Sequence, residues 1–241
     1  MGIINYIGTA IWNTVLFLLL GIFPWIAVAF IMQMLSNSIR KSLAKILGIQ
    51  GYIYLNCPGV MVHEIGHALF CIIFRHKIIE MKLFSPKADG TLGYVNHSYN
   101  PNNFYQRIGN FFIGTGPVWF GFIVLYFISQ QLLPNGMNIS DFISANFWGR
   151  WQSYVWLYLS LTIASHITLS RPDLAGSTDG VIAILAVALS CFLLFGWCGE
   201  WENTVIDFFM QLAFSFVSFF SFFIVLLLIF SIICRMLVWR K

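Results

Sequence analysis

Apolar residues run along this chain in long blocks separated by short polar breaks. The blocks have the length of membrane-crossing helices, not the narrow apolar stripe of a helix on a soluble domain. They fall at about 9–35, 52–74, 109–133, 151–169, 180–197 and 205–238, which predicts six transmembrane helices. Gly21 and Pro24 predict a kink in the first. Between the first two, Arg40, Lys41 and Lys45 alternate with Ile39, Leu43, Ile46 and Leu47, the pattern of a short amphipathic helix on the membrane surface. The one long polar stretch is 75–107. Within it, 77–84 has strand character, Asp89-Gly90 is a hairpin signal and 91–95 would return as the partner strand. A plain solvated loop is the competing reading. Residues 131–150 form a polar connector with a turn at Pro134-Asn135-Gly136, and 199–203 form a short acidic and aromatic one. The chain shows no internal repeat and no second domain. The expected fold class is an all-α integral membrane protein, one polytopic domain over 1–241, with a small membrane-associated β-hairpin.

Composition sharpens this picture. The chain is 59% hydrophobic and 9% charged, with a mean hydropathy of +0.81. A soluble domain carries about 25% charged residues. The lipid bilayer is therefore the expected surrounding. The first block lacks a basic leader and is too long for a signal peptide, so it is expected to stay as a span. The net charge of +4 says little about partners, because basic residues in membrane proteins mostly mark the cytoplasmic side. A nucleic-acid partner is not expected, since no basic and aromatic run occurs outside the spans. Cys57, Cys71, Cys191, Cys198 and Cys234 are scattered and read as buried thiols, not disulfides or a metal cage. Basic residues in 75–107 and at the C-terminus fit six spans with both termini cytoplasmic. Arg40, Lys41 and Lys45 go against that arrangement unless their helix lies on the outer surface. The oligomeric state is left open.

Candidate chemistry sits in the second block. His63-Glu64-Ile65-Gly66-His67 matches the HExxH pattern. Two histidines four apart on a helix share a face and can present both imidazoles to one metal ion. Glu64 stands about 100° around the same helix, where a general base for a water activated by that metal belongs. With five histidines in 241 residues, chance gives the pattern in roughly 0.002 of such chains. Its neighbours are apolar, and ionisable groups in such a run are costly and functional by default. Catalytic zinc needs a third protein ligand and an open fourth position. The downstream acids are Glu80, Asp89, Asp141, Asp173, Asp179, Glu200, Glu202 and Asp207. Asp173 and Asp179 follow the fourth block, although residues 170–173 also read as a helix N-cap and Asp179-Gly180 as a turn.

HEIGHALF on a membrane helix, Gly114-Thr115-Gly116-Pro117 on the next, and LSRPDLAG after the following one together resemble the site-2 protease family of intramembrane zinc metalloproteases. The resemblance covers roughly 55–180 and implies a three-helix core at about 52–180. It implies Zn2+ held by His63 and His67, with Glu64 as the catalytic glutamate. Gly114, Gly116 and Pro117 match the small-residue stretch of the middle core helix. The S-x-x-D-x-x-G setting resembles compact bacterial relatives and points to Asp173, which also implies a bacterial-type cytoplasmic membrane. The chain has no LDG, and Ser165 or His166 stands where an Asn is usual, so Asp179 stays as the alternative ligand. His166 is either a group behind the ligands or a hydrogen-bonded residue between helices. His76 and His97 read as solvated loop residues. The implied activity is hydrolysis of peptide bonds in or near transmembrane segments of a membrane-protein substrate. The substrate must be locally unwound, because a helix hides its amides in its own hydrogen bonds. An exposed hairpin edge could hold it extended. The competing reading is a non-catalytic chaperone, adaptor or metal carrier on the same scaffold. A second type of membrane HExxH protease takes its third ligand from a Glu in an ExxxD-type motif, which this chain lacks.

Overall fold

Backbone donors and acceptors in lipid must be satisfied within the chain, and the apolar blocks accordingly fold as helices. The computed structural model describes residues 2–133, 145–169, 171–196 and 201–240. Helix α1 (Ile3–Phe17) runs through a π-helical turn (Leu18–Ile22) into α2 (Phe23–Leu55). The π turn coincides with the expected kink. Pro24 sits in the first turn of α2 and has no N–H to continue the ladder. Helix α3 (Cys57–Ile73) carries HEIGH, and strands β1 (Lys77–Lys82) and β2 (Tyr94–Ser98) follow. Then come α4 (Phe104–Gly114), α5 (Gly116–Leu132), the single turn α6 (Ala145–Trp148), α7 (Trp151–Ala164), α8 (Arg171–Phe195) and α9 (Trp201–Trp239). The turn at 134–136, Asp141, Ser170, Cys198 and Glu200 lie outside the described residues. Cys57, Cys71, Cys191 and Cys234 are free thiols.

The expected six spans are not what the described residues show. Three segments are long and apolar enough to cross a membrane: Ile3–Leu55, Ser177–Phe195 and Asn203–Trp239. The pair α4 and α5, bent by 57°, would make a fourth. The difference comes from helix breaks inside apolar blocks. The chain leaves helical geometry at Asn56, and Pro58 opens α3 in its first turn, which leaves α3 only 17 residues long. At Thr115 the block 109–133 divides, because Pro117 lacks a donor. Helix α7 stops after 14 residues. Its Trp156 and Ile163 are buried in the bundle, while Trp151 and Tyr154 stay exposed.

Termini also sit differently from the expectation that they share a side. Phe17 packs on Phe209 (4.7 Å), Trp25 on Phe216 (3.4 Å), and Ser38 bonds Ser231 (2.8 Å). Each partner advances with its mate, so α1–α2 runs parallel to α9 and the chain ends lie at opposite ends of that pair. Arg235 donates to Ser38 at 2.9 Å. The basic residues that begin at Arg40 therefore share an end with those of the C-terminus, which removes their conflict with the charge rule. The 36–50 stretch is helical but continuous with α2, broken only at Gly48 (φ 75°).

The polar stretch does fold as a hairpin. β1 pairs antiparallel with β2, Lys82 opposite Tyr94 and Lys77 opposite Ser98, with an irregularity between Ile78 and Glu80. Gly90 takes φ 91° at the tip, a conformation that favours glycine. Asp89 accepts from the Thr91 amide at 2.9 Å, and that bond holds its pKa below the ordinary value. The return strand starts at Tyr94, three residues later than the expected 91. Residues 83–93 continue inward through Ser85 N–H to Leu92 (2.7 Å) and Lys87 N–H to Thr91 (2.8 Å).

Helix α3 crosses α5 where Gly66 meets Gly116. A Cβ on Gly116 would stand 2.6 Å from the Gly66 carbonyl oxygen, so neither position accepts a side chain without separating the helices. Gly116→Val is expected to destabilise the fold by about 1–3 kcal/mol through overpacking, read as a lowered thermal midpoint in detergent. An unchanged midpoint would mean that the crossing is soft.

Candidate metal centre

Helix α3 places His63 and His67 one turn apart, with their Nε2 atoms 3.1 Å from each other. Their other ring nitrogens are both committed. His63 Nδ1–H donates to the backbone carbonyl of His166 (2.7 Å), and His67 Nδ1–H donates to that of Ile113 (2.7 Å). A carbonyl only accepts, so each neutral ring carries its proton on Nδ1 and points a bare Nε2 lone pair at the same spot. Two acceptors that close have nothing to share unless a cation lies between them. Asp173, in the first turn of α8, brings Oδ1 to 3.5 Å from His67 Nε2. The three ligand atoms all lie within 4.8 Å of one another. Ligand atoms about 2.0–2.1 Å from a tetrahedral zinc stand about 3.3 Å apart. The two separations that His67 makes, 3.1 Å to His63 and 3.5 Å to Asp173, are close to that spacing, and two imidazoles with one carboxylate are a donor set that suits Zn2+.

Close helix approaches set this geometry. A Cβ on Gly114 would collide with Ser177 Oγ and the Asp173 carbonyl, so α4 and α8 meet in contact beside the carboxylate. The Ile113 carbonyl that orients His67 is the preceding residue. Carbonyls that fix a ligand's tautomer and ring orientation raise its basicity toward a metal.

The structure brings together His63, His67 and Asp173, and among the described residues it keeps Asp179, Glu80, Asp89 and Asp207 out of that group. Asp179 is exposed, on the same helix as Asp173. Glu80 accepts from the Tyr94 hydroxyl at 2.6 Å across the hairpin, which raises the Tyr94 pKa. Asp89 is at the hairpin tip, and Asp207 is exposed on α9. His166 contributes its backbone carbonyl. Its imidazole donates from Nδ1 to the Thr162 carbonyl at 2.8 Å.

Glu64 is 7% exposed and lies in a cavity of about 500 Å3 with His63, His67 and Asp173. The hairpin forms the facing wall with residues 93–97. Gly93 lies directly on Glu64: a Cβ there would be 2.7 Å from Glu64 Cγ and 2.8 Å from the Leu83 carbonyl oxygen. A second cavity of about 330 Å3 reaches His63 and Glu64 from the side of Gln33, Asn37 and His166.

Two cavity residues had no signal in the sequence. Asn110 is 6% exposed, lines the larger cavity one turn before Gly114, and among the described residues its side chain makes no hydrogen bond. His97 lines the same cavity. His76, expected to be a solvated loop residue, is buried behind it. Burial and the neighbouring charge of His76 hold the His97 pKa below the ordinary value. Pattern reading missed these because their neighbours come from other elements. No family model, curated protein or solved structure matches this chain.

Proposed function

We propose that the protein is a membrane-embedded zinc endopeptidase that cleaves peptide bonds in or next to transmembrane segments of other membrane proteins. The observation that carries the reading is the pair of Nε2 lone pairs and one carboxylate converging beside Glu64, inside an otherwise apolar helix bundle. Zinc in such a setting polarises a carbonyl and acidifies a water. Glu64 would take the proton of the attacking water and hand it to the leaving amine. A protein that only held metal would have no use for that carboxylate, which weighs against a chaperone or carrier. The β2 wall of the cavity supports an extended substrate, because a peptide laid along a strand edge has its amides withdrawn from helix and open to attack.

Asn110 would supply an N–H donor to the carbonyl oxygen as charge develops there. Asn110→Leu, similar in size but without a donor, is expected to lower kcat about 100-fold and to change KM much less. Unchanged kcat would remove Asn110 from the mechanism.

Incubation of the purified protein, reconstituted in liposomes with solubilised total membrane proteins, tests the activity. The reading expects new peptide termini within or beside apolar segments, lost with a chelator and restored by zinc. A zinc-loaded, folded protein that creates no new termini would favour the non-catalytic scaffold.

A further inference from the structure

Behind the cavity wall, two histidines form a chain of fixed hydrogen bonds. Helix α3 ends with Arg75 in the left-handed region (φ 57°), and the next amide, His76 N–H, closes on the Cys71 carbonyl at 2.8 Å. That end motif fixes His76 in place. Its ring is buried, stacks on Tyr99 (5.1 Å between centroids, 14° between planes) and meets His97 (5.1 Å). His76 Nε2 lies 2.9 Å from the Gln106 carbonyl oxygen, so it must carry the proton and donate. A neutral imidazole has one donor and one acceptor, which leaves His76 Nδ1 as an acceptor. His97 Nδ1 lies 3.1 Å from it and must therefore be the donor. The proton of His97 is thus turned away from the cavity, and its Nε2 is left as a bare lone pair. His97 lines the cavity on β2, opposite the ligand cluster.

The wall therefore offers one acceptor of fixed direction, across the cleft from the His63, His67 and Asp173 cluster and beside the side chains of Thr91 and Asn96. An extended peptide has backbone N–H groups on both sides. Those that meet no strand carbonyl need another acceptor within reach once water is displaced. We propose that His97 is a substrate-binding residue that accepts a hydrogen bond from one backbone N–H of the extended peptide, and that His76 is the positioning residue that holds its tautomer. The proposal rests on the proteolytic reading above and adds the group that sets the register of the peptide in the cleft.

The test uses the full-length Glu64→Gln protein in lipid nanodiscs, so that bound peptide is not consumed. The probe is a fluorescently labelled alanine–valine peptide of about ten residues, long enough to cover a strand edge. A matched set replaces one amide at a time by an ester, which removes a single N–H and keeps every side chain. One ester position is expected to weaken binding about fivefold, the worth of one hydrogen bond. In His97→Phe, added to the same protein, that ester should change affinity less than about twofold. His76→Phe keeps the ring stack on Tyr99 but removes the acceptor, so it should shrink the same ester effect. Equal ester effects with and without His97 overturn the assignment and leave the proteolytic reading standing. No binding of any peptide by any of these proteins overturns both. If the Phe variants do not fold, the ring-carbon chemical shifts of His97 in the parent decide: an Nδ1–H tautomer is expected, and an Nε2–H tautomer overturns the proposal.

Discussion

In the Glu64→Gln variant, peptide cleavage is expected to fall by about a thousandfold while bound zinc stays at the wild-type level. Glutamine keeps the volume and a hydrogen-bonding head, so the hairpin that presses on this side chain at Gly93 is not disturbed. What is lost is the basic carboxylate, and a positioned general base contributes 10^2- to 10^4-fold, roughly. Zinc should be retained, because the converging atoms belong to His63, His67 and Asp173. Zinc analysis beside a cleavage assay separates the outcomes. Loss of zinc in this variant would make Glu64 a ligand, and normal cleavage would move the base elsewhere.

Asp173→Ala is expected to release the proposed metal, whereas Asp179→Ala is expected to keep it. The two residues are six apart on α8, so they point about 240° apart around the helix and cannot serve one ion alike. Asp173 has its carboxylate 3.5 Å from His67 Nε2, and Asp179 is exposed. A carboxylate also lowers the charge that two neutral imidazoles leave on zinc. Removing a group behind a ligand already costs about 10- to 100-fold in affinity, so removing the ligand itself should cost more than about 100-fold. Titration with a zinc-selective fluorophore reads this directly. Equal retention in both variants would exclude Asp173, and loss only in Asp179→Ala would relocate the site.

The grouping of the candidate site residues was more legible in the sequence than the architecture, for a physical reason. His63, Glu64 and His67 are brought together by local helix geometry, and i, i+4 spacing shows in the sequence. Asp173 was reached through resemblance to a family motif, since no local rule ties a residue on α8 to one on α3. The hairpin was legible at Asp89-Gly90, where the turn needs a positive φ. Its return strand was misplaced because 83–93 bends onto Glu64, a tertiary contact. The span count failed for a related reason. Hydropathy sums apolar residues but does not register that Asn56 and Thr115 end helices. It also does not register that α7, apolar throughout, stops after 14 residues. His76 and His97 lie 21 residues apart and join only through the hairpin fold. Their shared hydrogen bond leaves no periodicity to detect.

The central claim is a zinc ion held by two imidazoles and a carboxylate. The most direct test is elemental analysis of the purified protein combined with zinc X-ray absorption. The account predicts one zinc per chain, with two imidazole nitrogens at about 2.0–2.1 Å and the remaining ligands oxygen. Absence of zinc from protein that can be shown to be folded, or a sulfur shell at about 2.3 Å from the cysteines, would contradict it.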